Sequence, residues 1–283
     1  MEGFNHLVPE NRRRENFFLL FFFLFSFLGP ASGRAAQFIG NVPTGFFQLD
    51  DARYPVYLYV PENYKPDREY PLLISIPGDA ESAEQNVREW AKLAKKKSII
   101  LMAPGLKPRE NDVPYQADNW ILGVKNEVAG RYRIAKDKTY LVGKEGGAHY
   151  AAYLGAKYPE EFSAVALLDG SWVGPFEELI RMQSRPRRQN PYYLAFEKAK
   201  PDLLEKTKAR ALRFEKKGYP VYMEKLGPGE DFSAVDFKKR LVGWLEEKGR
   251  DWNRVIRNSE KSVKEKVLMG LEDFVEVEKN DSR

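Results

Sequence analysis

The residues best placed to do chemistry stand in the stretch Gly143-Lys144-Glu145-Gly146-Gly147. Before it, Lys138 to Val142 reads as a buried strand, and after it Ala148 to Lys157 reads as an alanine-rich helix. A Gly-x-x-x-Gly turn between strand and helix has the spacing of a nucleophile elbow, which lifts one side chain above the sheet. Glycines flank such an apex because a Cβ there would strike the neighbouring strand or helix. The apex should carry a serine. Here it is Glu145.

Nucleophilic hydrolysis also needs a base, usually an imidazole. The chain has two histidines. His6 lies in the leader described below, and His149 falls one turn beyond Glu145, where it is expected to be packed or capped. Ser75 falls inside a strand and Ser171 in a loop after another, neither with a histidine at hand. There is no cysteine, so thiolate chemistry, disulfides and Cys-ligated zinc are excluded. The sequence carries no cofactor or metal motif.

Residues 1–35 read as a signal peptide. Arg12-Arg13-Arg14 is a positive start, Phe17 to Leu28 an apolar run, and Ala31-Ser32-Gly33-Arg34-Ala35-Ala36 a cleavable small-residue stretch. That run is short of the roughly 20 residues that span a bilayer. A secreted or periplasmic protein is expected, with no membrane span after cleavage. The remainder is mildly basic, and the pI of about 9.0 comes without a stripe of Arg and Lys interleaved with aromatics. Nucleic acid is therefore not an expected partner.

The elements that must position the turn follow in order. Strands are read at Gly45 to Leu49, Tyr54 to Val60, Tyr70 to Ile76 and Ser98 to Ala103, the third a continuous apolar run buried on both sides. Ser82-Ala83-Glu84-Gln85 has capping-box spacing for a helix between the last two. A helix from about Trp120 to Arg131 precedes the elbow. Further strands are read at Ala164 to Leu168, Pro191 to Phe196 and Val221 to Leu226, with a helix from Leu203 to Lys217. Phe237, Leu241, Trp244 and Leu245 stripe a closing helix. Alternating strands and helices predict a mostly parallel sheet covered on both faces. The domain is expected over residues 36–250. Residues 251–283, with Trp252, Val255, Ile256, Val263 and Val267 at helical spacing, read as an amphipathic helical tail that packs back on the domain or contacts a partner.

Three stretches, "YPVYLYVPENYKPDREYPLLISIPG", "RYRIAKDKTYLVGKEGGAHYAAYLGAKYPEEFSAVALLDG" and "KKGYPVYMEKLGPGEDFSAVDFKKRLVGWL", resemble the α/β-hydrolase superfamily. The nearest branch is that of secreted esterases of the polyhydroxybutyrate-depolymerase and feruloyl-esterase kind and related predicted peptidases. The resemblance spans residues 54 to about 248. It implies an α/β-hydrolase fold of about eight strands, without a large cap, carrying a Ser-Asp-His triad at the C-terminal strand ends.

Carried over residue by residue, the nucleophile position falls on Glu145 and the histidine position on Glu230, in Gly229-Glu230-Asp231-Phe232. The acid position falls on Lys200, with Asp202 a shifted substitute. All three depart from the triad. The oxyanion donors implied are the backbone N–H groups of Gly146 and of the Gly78-Asp79 turn. Two readings of the acid pair stand. In one, Glu145 and Glu230 meet, share a proton or a cation with Asp79 nearby, and serve an unusual carboxylic-ester hydrolase. In the other, Glu145 is neutralised by Lys144, Lys200 or an arginine, and its carboxylate occupies the oxyanion hole beside the N–H groups of Gly146 and of the Gly78-Asp79 turn. The second makes the protein a pseudoenzyme, an esterase-like binding or scaffolding module for an unidentified small molecule or protein.

Overall fold

The computed structural model describes residues 42–49, 54–108, 114–172, 189–197, 201–249 and 251. The expected signal peptide lies outside these, as does the tail after Asp251. Eight strands form one sheet: β1 (Gly45–Leu49), β2 (Val56–Val60), β3 (Tyr70–Ile76), β4 (Ile100–Pro104), β5 (Ile134–Lys144), β6 (Ala164–Leu168), β7 (Tyr192–Phe196) and β8 (Val221–Lys225). Their order is β1-β2-β4-β3-β5-β6-β7-β8. The pairs β1–β2 and β2–β4 are antiparallel, and every pair from β4 to β8 is parallel. This is the expected α/β-hydrolase architecture.

Period-two alternation in the apolar strands splits the core into two layers. Leu72, Ile74 and Leu141 face α2 (Asp118–Arg131), α3 (Gly146–Lys157) and α4 (Pro201–Lys216). Leu73, Val142 and Ala166 face α1 (Ala83–Lys97) and α5 (residues 235–249), which supply Trp90, Phe237 and Leu241. Each buried Val, Leu, Ile or Phe among these contributes about 1.5–3 kcal/mol, so the sheet is held from both sides.

Local signals set the helix ends. The Ser82 side chain accepts the Gln85 N–H at 3.1 Å, and the Gln85 side chain accepts the Ser82 N–H at 3.0 Å, completing the predicted capping box of α1. α2 starts earlier than its apolar pattern predicts, at Asp118 after a short 3₁₀ turn. β5 is longer than predicted, beginning at Ile134. Its first half is polar, which hides it from periodicity, and it pairs with Tyr70 across a register shift in β3. Among the described residues no helix is long and apolar enough to cross a membrane.

Because β3, β5, β6, β7 and β8 run in parallel, the segments that follow them gather at one edge of the sheet. Those segments are Pro77–Asp79, Glu145, Asp169, Glu197 and residues 226–231. Candidate sites of such sheets lie there.

Candidate active site

The elbow forms as its glycines require. A Cβ on Gly143 would stand 2.2 Å from the Gly147 carbonyl oxygen, and one on Gly147 would stand 2.4 Å from that of Pro77. Only hydrogen fits at either place. Between them Glu145 takes φ 51° and ψ −121°, a backbone region costly for any residue with a side chain. Its N–H donates to the Leu168 carbonyl at 2.8 Å, which fixes the turn against β6. The strained turn of an elbow forms here with Glu145 at its apex.

The Glu145 carboxylate lies over the oxyanion turn. The Asp79 N–H donates to Glu145 Oε2 at 2.9 Å, and the Gly146 N–H donates to Asp79 Oδ1 at 3.1 Å. The sequence places the Glu145 carboxylate beside the amides of Gly146 and of the Gly78-Asp79 turn; in the structure it accepts from the Asp79 N–H of that turn, while the Gly146 N–H is capped by Asp79 instead. The next amide back, that of Gly78, faces Glu81 Oε2 at 3.5 Å. Glu81 is half-buried, and its pKa is raised, chiefly by burial and further by the nearby Glu89; the 3.0 Å hydrogen bond from Asn86 Nδ2 works the other way. A cleft of about 640 Å³ opens here, lined by Glu81, Arg88, Glu89, Lys144 and Glu145 among others. Among the described residues Glu145 makes no ion pair with Lys144 or an arginine, and Lys200, the other expected partner, lies outside them.

An oxyanion forming at this point would meet donors already in use and carboxylates already in place. Two unit charges about 4 Å apart near a protein surface repel by about 4 kcal/mol. Loss of a single oxyanion donor costs about 2.7–4 kcal/mol of transition-state stabilisation.

Glu230 sits elsewhere. It lines a second cleft of about 700 Å³, with Glu197, Lys225 and residues 226–231. Arg240 Nη2 donates to Glu230 Oε1 at 2.5 Å, and the Gly227 N–H donates to its Oε2 at 3.3 Å. Arg240 first, then that backbone N–H, hold its pKa below the usual carboxylate range. The structure therefore corrects the proposed acid pair: Glu145 and Glu230 line different clefts, and each is committed to its own partners. Among the described residues no group of three or more acids and histidines is placed to hold a metal ion.

The remaining positions are distributed as follows. Lys200 lies outside the described residues, and Asp202 falls in the first turn of α4. The acid that follows β7 directly is Glu197, which sequence reasoning missed. The Phe232 N–H donates to Glu197 Oε2 at 3.3 Å, and the Glu197 N–H donates to Asp169 Oδ1 at 2.9 Å. Glu197 thus joins the loops after β6, β7 and β8 where an acid would address a histidine. It is the first charged residue after the apolar run 192–196, and counting from the end of that run would have found it. His149 is 4% exposed and its Nδ1–H donates to the Ser171 carbonyl at 2.7 Å. That short contact fixes the tautomer, so the Ser171 N–H, which approaches the same nitrogen at 3.4 Å, finds no free lone pair on it. Ser171 is fully buried. Among the described residues no imidazole reaches the elbow.

The family described as "Putative esterase" matches residues 49–201, more than half of the chain. A search of curated proteins finds no match. Among solved structures, a thermostable esterase aligns with a TM-score of 0.55 at 19% identity, covering 71% of this chain and 62% of the other. The acetyl xylan esterase of Aspergillus awamori aligns with a TM-score of 0.55 at 13% identity, covering 71% and 99%. An S-formylglutathione hydrolase of Agrobacterium tumefaciens gives 0.52 at 17%, covering 75% and 98%. At these identities the likeness is one of fold.

Proposed function

The chain belongs to this esterase family, and on that premise we propose that it is a non-catalytic member, a hydrolase fold that works by binding. One observation carries the reading: both backbone donors at the elbow are capped by the protein's own carboxylates, Asp79 N–H by Glu145 and Gly146 N–H by Asp79. A substrate carbonyl finds no open donor there. With glutamate at the apex and no imidazole at the site among the described residues, the two-step acyl chemistry lacks both its nucleophile and its base. The protein is exported through residues 1–35, as the basic, apolar and small-residue order of that segment supports.

The rival ester hydrolase would need Glu145 and Glu230 to act on one substrate. Their commitments to Asp79 and to Arg240 in separate clefts speak against it. The test is turnover of short-chain aryl esters by the purified protein. The expected rate equals that of buffer, and a fluorophosphonate probe leaves the protein unlabelled. Turnover that disappears in Glu145→Gln would overturn the proposal.

A further inference from the structure

Among the described residues, the helix α4 divides into a buried side and an exposed one. Its inner side, Thr207, Ala211 and Phe214, is buried. Its outer side exposes Lys206, Lys208, Leu212, Arg213 and Lys216, continued past the helix end by Lys217. The acids among them are Glu205 and Glu215, and Lys208 binds Glu205 at 2.8 Å. At helical spacing, Lys208, Leu212 and Lys216 form one row, and Lys206 lies in the next row with Arg213.

The helix dipole accounts for the cations in the last turn, Arg213 and Lys216. It does not account for Lys206 and Lys208, which stand in the first half of the helix. Nor does it account for Leu212, which is 59% exposed with a lysine one turn to either side. A single exposed leucine is ordinary. A leucine framed by lysines on one helix face is how an amphipathic surface meets phospholipid, the apolar chain entering the boundary of the headgroups while the ammonium groups stay at the phosphates.

We propose that the outer face of α4 docks on an anionic phospholipid surface, with Leu212 inserted and Lys206, Lys208, Lys216 and Lys217 against the phosphates. Charge complementarity selects an anionic partner, and Leu212 selects lipid over a soluble polyanion, which would offer it nothing apolar. The proposal is independent of the elbow, so Glu145→Gln binds as the natural chain does.

The test is co-sedimentation of the full chain with vesicles of phosphatidylcholine, alone or mixed with phosphatidylglycerol. Binding is expected only to the mixed vesicles and is expected to weaken as salt rises. Each cation near such a surface is worth roughly fivefold in partitioning, so K206E/K208E/K216E/K217E should lower it by at least about 100-fold. Leu212→Ser should lower it about tenfold. All five positions are exposed, and an unchanged far-UV circular dichroism spectrum verifies folding. Equal binding to both vesicles, or undiminished binding by the quadruple variant, overturns the proposal. So does tight heparin binding together with vesicle binding that ignores Leu212→Ser, which would assign the face to a soluble polyanion.

Discussion

Two acids of this molecule, Asp118 and Glu145, are held in opposite ways. Asp118 is buried at the start of α2, and its Oδ2 accepts from Lys157 Nζ, from Tyr158 Oη at 2.6 Å and from Tyr153 Oη at 3.4 Å. The Asn119 N–H donates to Oδ1 at 2.8 Å. Lys157, at the end of α3, is also bound to Tyr153 Oη at 2.8 Å and lies over two tyrosine rings. That network ties two helices of one layer together with its charges paired. Glu145 is held by a backbone N–H, on a strained residue, among other carboxylates. A network built for stability neutralises its acid. The elbow instead holds its acid on a strained backbone, with the carboxylate over the Asp79 amide.

The same change of acid to amide should separate the two. Asp118→Asn places an amide NH₂ or a neutral oxygen against donors that need an anion, and should cost about 3 kcal/mol in urea unfolding. Burial raises the Asp118 pKa, but the hydrogen bonds from Lys157, Tyr158 and the Asn119 N–H outweigh it and leave the value below normal. A depressed acid stabilises the fold above its unfolded value of about 3.9 and loses that contribution as pH falls through the lower folded value. The gap between the natural chain and Asp118→Asn should therefore close only in strong acid. A cost for Asp118→Asn no larger than that for Glu145→Gln would break the contrast.

Glu145→Gln keeps an oxygen for the Asp79 N–H and removes a charge from an acidic cleft. It should change stability by no more than about 0.5 kcal/mol, in the stabilising direction. A second small effect, this one dependent on pH, is expected at Glu81. Its raised pKa means that the fold prefers it protonated, so stability is lost as pH rises above the unfolded value of about 4.3 and through the folded one. Glu81→Gln should remove that loss, with a gain at neutral pH within about 1 kcal/mol and none below pH 4. Matching urea curves at both pH values would show that the fold does not raise the Glu81 pKa.

The fold was largely legible because its central strands are apolar on both faces and its helices carry strong start signals, such as Ser82 with Gln85. The elbow was legible because a turn that tolerates no Cβ leaves its trace as glycine at two fixed places. What escaped were contacts between distant segments. Asp79 and Gly146 are 67 residues apart, and nothing local marks an aspartate that will cap that amide. Glu145 and Glu230 were paired by analogy with a triad, although Arg240, ten residues beyond Glu230, was the partner at hand. The resemblance puts the acid at Lys200 or Asp202, whereas the acid that follows β7 directly is Glu197.

The central claim, that the elbow's donors are occupied from within, is tested most directly by amide proton NMR of Asp79 and Gly146 in the natural protein and in Glu145→Ala. Both amide protons are expected far downfield and slow to exchange in the natural chain. In Glu145→Ala the Asp79 amide alone should shift upfield and exchange freely. Two amides already in fast exchange with water at neutral pH, unmoved by the substitution, would contradict it and leave the oxyanion site open.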